Sequence, residues 1–172
     1  LSNMCSEDYE LAKACYEAVI SVASEVPIMA LVKTRQQEAV ENLQAKWVGE
    51  IFADRSYNDD ATLVDRSIPG AIISDPKIAG ARIAKMVESG AIITRSGKEI
   101  KTRIDTVCLH GDTPDAVNIA KAIKDALEKS GVNIKTILTK SGAEFVTPLS
   151  ISSLSQSKVY QDLFNIENET EM

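Results

Sequence analysis

Two stretches of this sequence end an apolar run on groups that can move a proton or hold an anion. The first is Glu50-Ile51-Phe52-Ala53-Asp54-Arg55-Ser56-Tyr57, followed by a loop with Asp59, Asp60, Asp65 and Arg66. It sets one carboxylate inside a strand-length run, with a second carboxylate and a guanidinium just beyond. The second is Cys108-Leu109-His110-Gly111-Asp112-Thr113-Pro114, where the single histidine of the chain ends a run and leads into a helix start. Carboxylates and imidazole supply general acid and base, and arginine grips carboxylate or phosphate with a fork of donors. Each group also has a plainer role. Glu50, Asp54 and Arg55 could form a structural ion pair with a capping aspartate, and His110 could simply pack. Gly111 serves either a positive-φ turn or close approach of a ligand, and Asn58 to Asp65 reads as a solvated turn. Position favours function, because working groups in a parallel α/β sheet collect at the carboxyl ends of strands.

The remaining motifs are absences. The eight glycines are isolated, with no G-x-G-x-x-G and no G-x-x-x-x-G-K-[ST], so no standard phosphate loop is present. H-E-x-x-H and G-x-S-x-G are missing too, and one histidine with dispersed cysteines assigns no metal ligands. Cys5, Cys15 and Cys108 make an odd count in apolar contexts, which predicts reduced, packed thiols and a cytoplasmic protein. Net charge is −6 with scattered basic residues, so neither nucleic acid nor an anionic membrane is an expected partner. The densest basic patch, Arg95 to Arg103, also holds Glu99 and reads as a solvated hairpin. No apolar run approaches the ~18 residues of a membrane span, and no signal peptide is visible. A chain that starts on Leu1 reads as a fragment or a processed product.

The elements that would position these groups follow from periodicity. Ser6 is the predicted cap of a helix with Leu11, Cys15, Ala18 and Val22 inward, ending before Pro27. Gln36 to Ala45 is a shorter helix with Ala39, Val40 and Leu43 on one face. Ser74-Asp75-Pro76 opens a third helix carrying Ala79, Ile83, Met86 and Val87, stopped at Gly90. Thr113-Pro114-Asp115 opens a fourth, with Ile119, Ala120, Ile123 and Leu127 inward and Gly131 as its stop. Strand-length runs lie at Ile28–Val32, Trp47–Phe52, Asp105–Leu109 and Val132–Leu138, and their lack of alternation suits a sheet covered on both faces. Ile92–Thr94 and Glu99–Arg103 predict a hairpin. Alternating strands and helices predict an α/β fold, and a start on a helix suggests part of a larger sheet or barrel. Ser150 to Ser157 and the acidic end predict a poorly ordered tail with one short helix at Lys158 to Phe164.

The motifs Glu50-x-Phe52-Ala53-Asp54-Arg55-x-Tyr57, Thr62-Leu63-Val64-x-Arg66-Ser67, Pro69-Gly70-Ala71 and Cys108-x-His110-Gly111-Asp112-Thr113-Pro114, in this order and spacing, resemble the LamB/YcsF family of 5-oxoprolinase A subunits. The resemblance runs from Leu1 to about Leu138. It departs at Ser2, where the family usually has Tyr, and at Asp65, where it usually has Pro. An upstream part with Asp-Leu-Asn, Gly-x-His-Pro and Lys-Pro-His-Gly segments is not in the sequence. The resemblance implies a partial β/α barrel of the glycoside hydrolase/deacetylase type lacking its N-terminal strands over residues 1–138, and the serine-rich, acidic tail of 139–172 has no counterpart in it.

It further implies ATP-dependent opening of 5-oxoproline, a small-molecule substrate, to glutamate, in company with 5-oxoprolinase subunits B and C. Glu50, Asp54, His110 and Asp112 are then the expected catalytic groups, and Arg55 and Arg66 the expected substrate-binding ones, with individual roles open. Two alternatives stand beside this reading. One is a metal-dependent deacetylase-like hydrolase on the same barrel, and the other a truncated, inactive binding partner of the other subunits. An uncovered sheet edge would favour self-association of the chain alone.

Overall fold

The computed structural model describes residues 2–144, 146–155 and 158–161. In chain order the elements are α1 (Ser2–Glu7), α2 (Tyr9–Ala23), β1 (Ile28–Leu31), α3 (Arg35–Asn42), β2 (Trp47–Phe52) and α4 (Pro76–Ser89). There follow β3 (Ala91–Ile93), β4 (Glu99–Lys101), β5 (Thr106–Cys108), α5 (Ala116–Lys129), β6 (Thr136–Ile137), a short 3₁₀ turn, α6 (Pro148–Ser155) and β7 (Val159–Tyr160). The fold is α/β and divides into two units, one of Leu1–Ile72 with Ser89–Cys108, the other of Ile73–Glu88 with Leu109–Met172.

The first unit is built on a parallel sheet of order β1-β2-β5, with β2 central. Its register sets Leu31 beside Glu50, Glu50 beside Thr106 and Phe52 beside Cys108. Gly49 has no room for a side chain, since a Cβ there would stand 2.8 Å from Val32 Cγ1 and 2.9 Å from the Arg103 carbonyl oxygen. That close approach lets the Gly49 amide donate to Asp105 Oδ2 at 2.7 Å while Asp105 N donates to Gly49 O at 2.9 Å. Thr34 caps α3, accepting from Gln36 N at 3.2 Å. Val40 of α3 packs with Ile28 and Ala30 of β1. β3 and β4 form the expected hairpin, antiparallel, with Ile92 opposite Ile100.

Three expectations for this unit need correction. Asp8, not Ser6, caps α2, its Oδ1 accepting from Leu11 N at 3.0 Å, while Ser6 belongs to the separate helix α1. The inward stripe of α2 is rotated as well. Leu11 and Cys15 pack inward as expected, against a buried cluster of Ala12, Cys5 and Ala39 that Tyr16 also joins, but Ala18 and Val22 are exposed, Val22 to 87%. Contact with α1 and α3, rather than apolar content alone, selects that face. β5 stops at Cys108, so His110 lies past the strand rather than on its last residue.

In the second unit, Asp75 opens α4 as its sequence predicts, Oδ1 accepting from Lys77 N at 2.8 Å and Ile78 N at 3.0 Å. Ala79, Gly80, Ile83 and Met86 are buried along one face. A Cβ at Gly80 would stand 2.7 Å from the Ala122 carbonyl oxygen, so α4 and α5 cross at contact distance. Ile119, Ile123 and Leu127 form the buried stripe of α5, as expected. Its start differs, because Thr113 and Pro114 form a turn and Asp115, in the left-handed region at φ 62°, takes the N-cap position.

The predicted strand Val132–Leu138 shortens to β6, which pairs in parallel with β7 and adds nothing to the β1-β2-β5 sheet. Of the serine-rich stretch expected to be poorly ordered, residues 150–155 are helical in α6, and Val159–Tyr160 is strand where a helix over Lys158–Phe164 was expected. Residues 162–172, with the rest of that helix and the acidic end, lie outside the described residues. Among the described residues no helix is long and apolar enough to cross a membrane.

Candidate functional site

Strand alternation decides where Glu50 points. Ile51 shares a face with Ala30 and Val107, the side on which α3 packs. Glu50 therefore lies on the opposite face with Leu31, Phe52, Thr106 and Cys108, and it is half-buried. The Cys108 thiol hydrogen-bonds the Glu50 carboxylate. Burial, then the negative charges of Glu50 and Asp54, push that thiol up to about 12 from its ordinary 9.0, so it stays protonated and donates. Glu50 thus bonds one neutral thiol at the carboxyl end of the central strands, and that thiol also feels the charge of Asp54.

The segment beyond β2 is pinned back onto the sheet end. Ala53 N donates to Cys108 O at 2.8 Å, extending the β2–β5 ladder by one bond. Tyr57 is fully buried, and its hydroxyl oxygen accepts from Phe52 N at 2.8 Å. Ser56 N donates to Ala71 O at 2.9 Å and its hydroxyl to Gly70 O at 2.6 Å, while Val64 N donates to Ser56 O at 3.0 Å. These bonds fold residues 53–72 into a closed structure with Ala53 through Tyr57 all buried.

Within it Asp54 is 1% and Arg55 5% exposed. Arg55 Nη2 donates to Val64 O at 2.8 Å, and its Nε is buried without a hydrogen-bond partner among the described residues. Burial, then the nearby charge of Arg66, lowers the Arg55 guanidinium below its usual range, against the opposing pull of Asp54, Tyr57 and Asp65. Arg66 itself is exposed.

The acidic loop is only partly a solvated turn. Asp60 Oδ1 accepts from Thr62 N and its hydroxyl, and Asp65 Oδ1 from Ser67 N and its hydroxyl, local bonds that hold both carboxyls below the ordinary carboxylate range. Asp59 does something else. It accepts from the Thr94 hydroxyl at 2.6 Å and the Ser96 hydroxyl at 2.7 Å, while Lys98 Nζ donates to its carbonyl oxygen at 2.9 Å. Asp59 thereby clasps the β3–β4 turn, and those hydroxyls lower its pKa.

Of the predicted site residues, Glu50, Asp54, Arg55 and Arg66 belong to the first unit, and His110 and Asp112 to the second. His110 is half-buried, and its carbonyl oxygen accepts from Thr113 N at 3.2 Å; Asp112 is exposed. Sequence reasoning missed Cys108 as the partner of Glu50, and Tyr57 as the pin. The first was recoverable from register, since residues 50, 52, 106 and 108 share a face once β2 and β5 pair in parallel. Among the described residues no group of three or more His, Cys, Asp or Glu side chains is placed to hold a metal ion.

Comparison with known proteins adds to this geometry. The model of the LamB/YcsF family matches residues 1–142. The 5-oxoprolinase A subunit from Ruegeria pomeroyi is 56% identical over 134 residues, covering 78% of this chain and 53% of that protein. The protein of the same description from Coprothermobacter proteolyticus is 42% identical over 134 residues, 78% of this chain and 51% of its own length. The crystal structure of a lactam utilization protein from Thermus thermophilus is similar, with a TM-score of 0.68 at 34% identity over 76% of this chain and 51% of that one. The chain spans about half the length of the curated relatives it matches.

Proposed function

The chain belongs to the LamB/YcsF family, and from that premise we propose that it carries part of the active site of a 5-oxoprolinase-type hydrolase, one that opens the lactam of 5-oxoproline to glutamate. The observation that carries this reading is Glu50 bonded to Cys108 at the carboxyl end of the central strands, with Asp54 and Arg55 buried just beyond it in sequence. Breaking a lactam needs a water activated against the carbonyl and a proton delivered to the departing nitrogen. Glu50, Asp54, His110 and Asp112 are the acid–base groups of this reading, and Arg55 or Arg66 pairs with the substrate carboxylate. ATP is the co-substrate of this reading. Its hydrolysis drives the opening, and no residue of this chain is assigned to it. Subunits B and C of the same enzyme are the partners, in the cytoplasm. The parallel order β1-β2-β5 and the likeness to the Thermus thermophilus protein support a deacetylase-like β/α barrel of which these strands form part.

The test is glutamate release from 5-oxoproline and ATP by this chain combined with subunits B and C. ATP-dependent release that is lost in Asp54→Asn is the expected result. A folded, assembled complex that forms ADP but no glutamate overturns the reading.

A further inference from the structure

In the first unit, α1 and α2 bring two sulfurs together. Cys5 is buried, Cys15 is half-buried, and their Sγ atoms stand 4.0 Å apart. A disulfide bond is about 2.0 Å long, so closing the pair needs an approach of roughly 2 Å shared between two side chains. The scaffold permits that movement. α1 has only six residues and is joined to α2 through the single residue Asp8. A helix that short has little stability of its own, so α1 can adjust without unwinding its neighbour. The contact is also defined rather than incidental, because Cys5 lies in the buried cluster with Ala12 and Ala39, and Cys15 packs against it.

We propose that Cys5 and Cys15 form a dithiol oxidation site, closing reversibly to a disulfide that ties α1 to α2. The proposal is independent of the functional reading above. With oxidised glutathione as the oxidant, one thiolate attacks its disulfide, releasing one glutathione and leaving a mixed disulfide. The second protein thiolate then attacks that bond at the protein sulfur and releases the other glutathione. Two S–H bonds become one S–S bond, and both electrons end on the glutathione pair. Burial first, and then the hydrogen bond with Cys15, holds the Cys5 thiol above its ordinary pKa. Thiolate is therefore scarce at neutral pH, and closure speeds up as pH rises. Cys108 is a different kind of thiol, on β5 and bonded to Glu50.

The experiment oxidises the full reduced chain with oxidised glutathione at neutral and alkaline pH, then digests it with trypsin without reductant. Lys13 separates the cysteines, so the bond appears as peptides 1–13 and 14–33 linked together and lighter by two hydrogens. The expected result is that linked pair from a monomer, with faster closure at alkaline pH. Its melting temperature rises and falls back on reduction. Cys108→Ser should behave the same way. Stable glutathione adducts on Cys5 or Cys15, bonds through Cys108, dimers, or intact thiols after excess oxidant would each overturn the proposal.

Discussion

The segments that follow β2 and β5 both carry predicted site residues, and they are built on opposite terms. After β2 the chain stays buried for five residues from Ala53, and Arg55, Ser56 and Tyr57 are each held by a bond reaching elsewhere in their unit. After β5 the chain from Leu109 to Asp115 is half-buried or exposed throughout. Its backbone closes locally, through the turn bonds of Thr113 and Ala116. The first segment makes chemistry and stability inseparable, because Asp54 and Arg55 are part of the packing. The second segment leaves its side chains at little cost to the fold, which is the usual economy of a working loop.

Arg55→Leu should therefore have the largest effect on folding. It removes the bond that Arg55 Nη2 donates to Val64 O and leaves that buried carbonyl short of a donor, at a cost of about 1–3 kcal/mol. Urea unfolding measures it, and a loss below about 1 kcal/mol, the range of an ordinary surface change, would erase the contrast between the segments.

Cys108 tests the same burial by titration. Its thiol pKa is about 12 in the fold against 9.0 unfolded, so folding retains a proton there. That stabilisation is complete below pH 9.0, declines through the interval, and is gone above about 12. Alkylation followed against pH should show native Cys108 reacting only at the alkaline end, and Glu50→Gln should move its onset to lower pH.

Asp59→Asn should cost less, about 1 kcal/mol, since an amide oxygen in place of Oδ1 still accepts from Thr94 and Ser96 and only the charge assistance is lost. Faster hydrogen exchange confined to residues 53–72 and the hairpin is the expected signature.

His110→Ala should be the mildest for the fold, under about 1 kcal/mol, yet in the assembled enzyme it should lower 5-oxoproline turnover by on the order of 10²-fold. A large fall in melting temperature with normal turnover would make His110 a packing residue and reverse the comparison.

How much of this was legible in the sequence varies by element. β2 runs from Trp47 to Phe52 as its apolar pattern says, and Asp75-Pro76 marks the start of α4, because both signals are local. Thr113-Pro114 carries the same kind of signal and fails. The chain turns there and begins α5 after a left-handed Asp115, a choice the dipeptide does not encode. The rotated stripe of α2 depends on α1 and α3, which no window along α2 contains. A two-residue strand such as β6 has too few residues for any period to show. For the site, the residue types and their strand-end positions were visible, but the Glu50–Cys108 pairing needed the β2–β5 register, which joins residues far apart in the chain.

The Asp59 clasp also imposes a schedule on synthesis. Thr94 lies 35 residues after Asp59, and Lys98 lies 39 after it. At a translation rate of ~5–20 residues per second, the segment after β2 leaves the ribosome about 2–8 s before the turn that fastens it. During that interval Asp54 and Arg55 have neither their hairpin latch nor β5 beside them, so this buried polar segment is among the last parts of its unit to close.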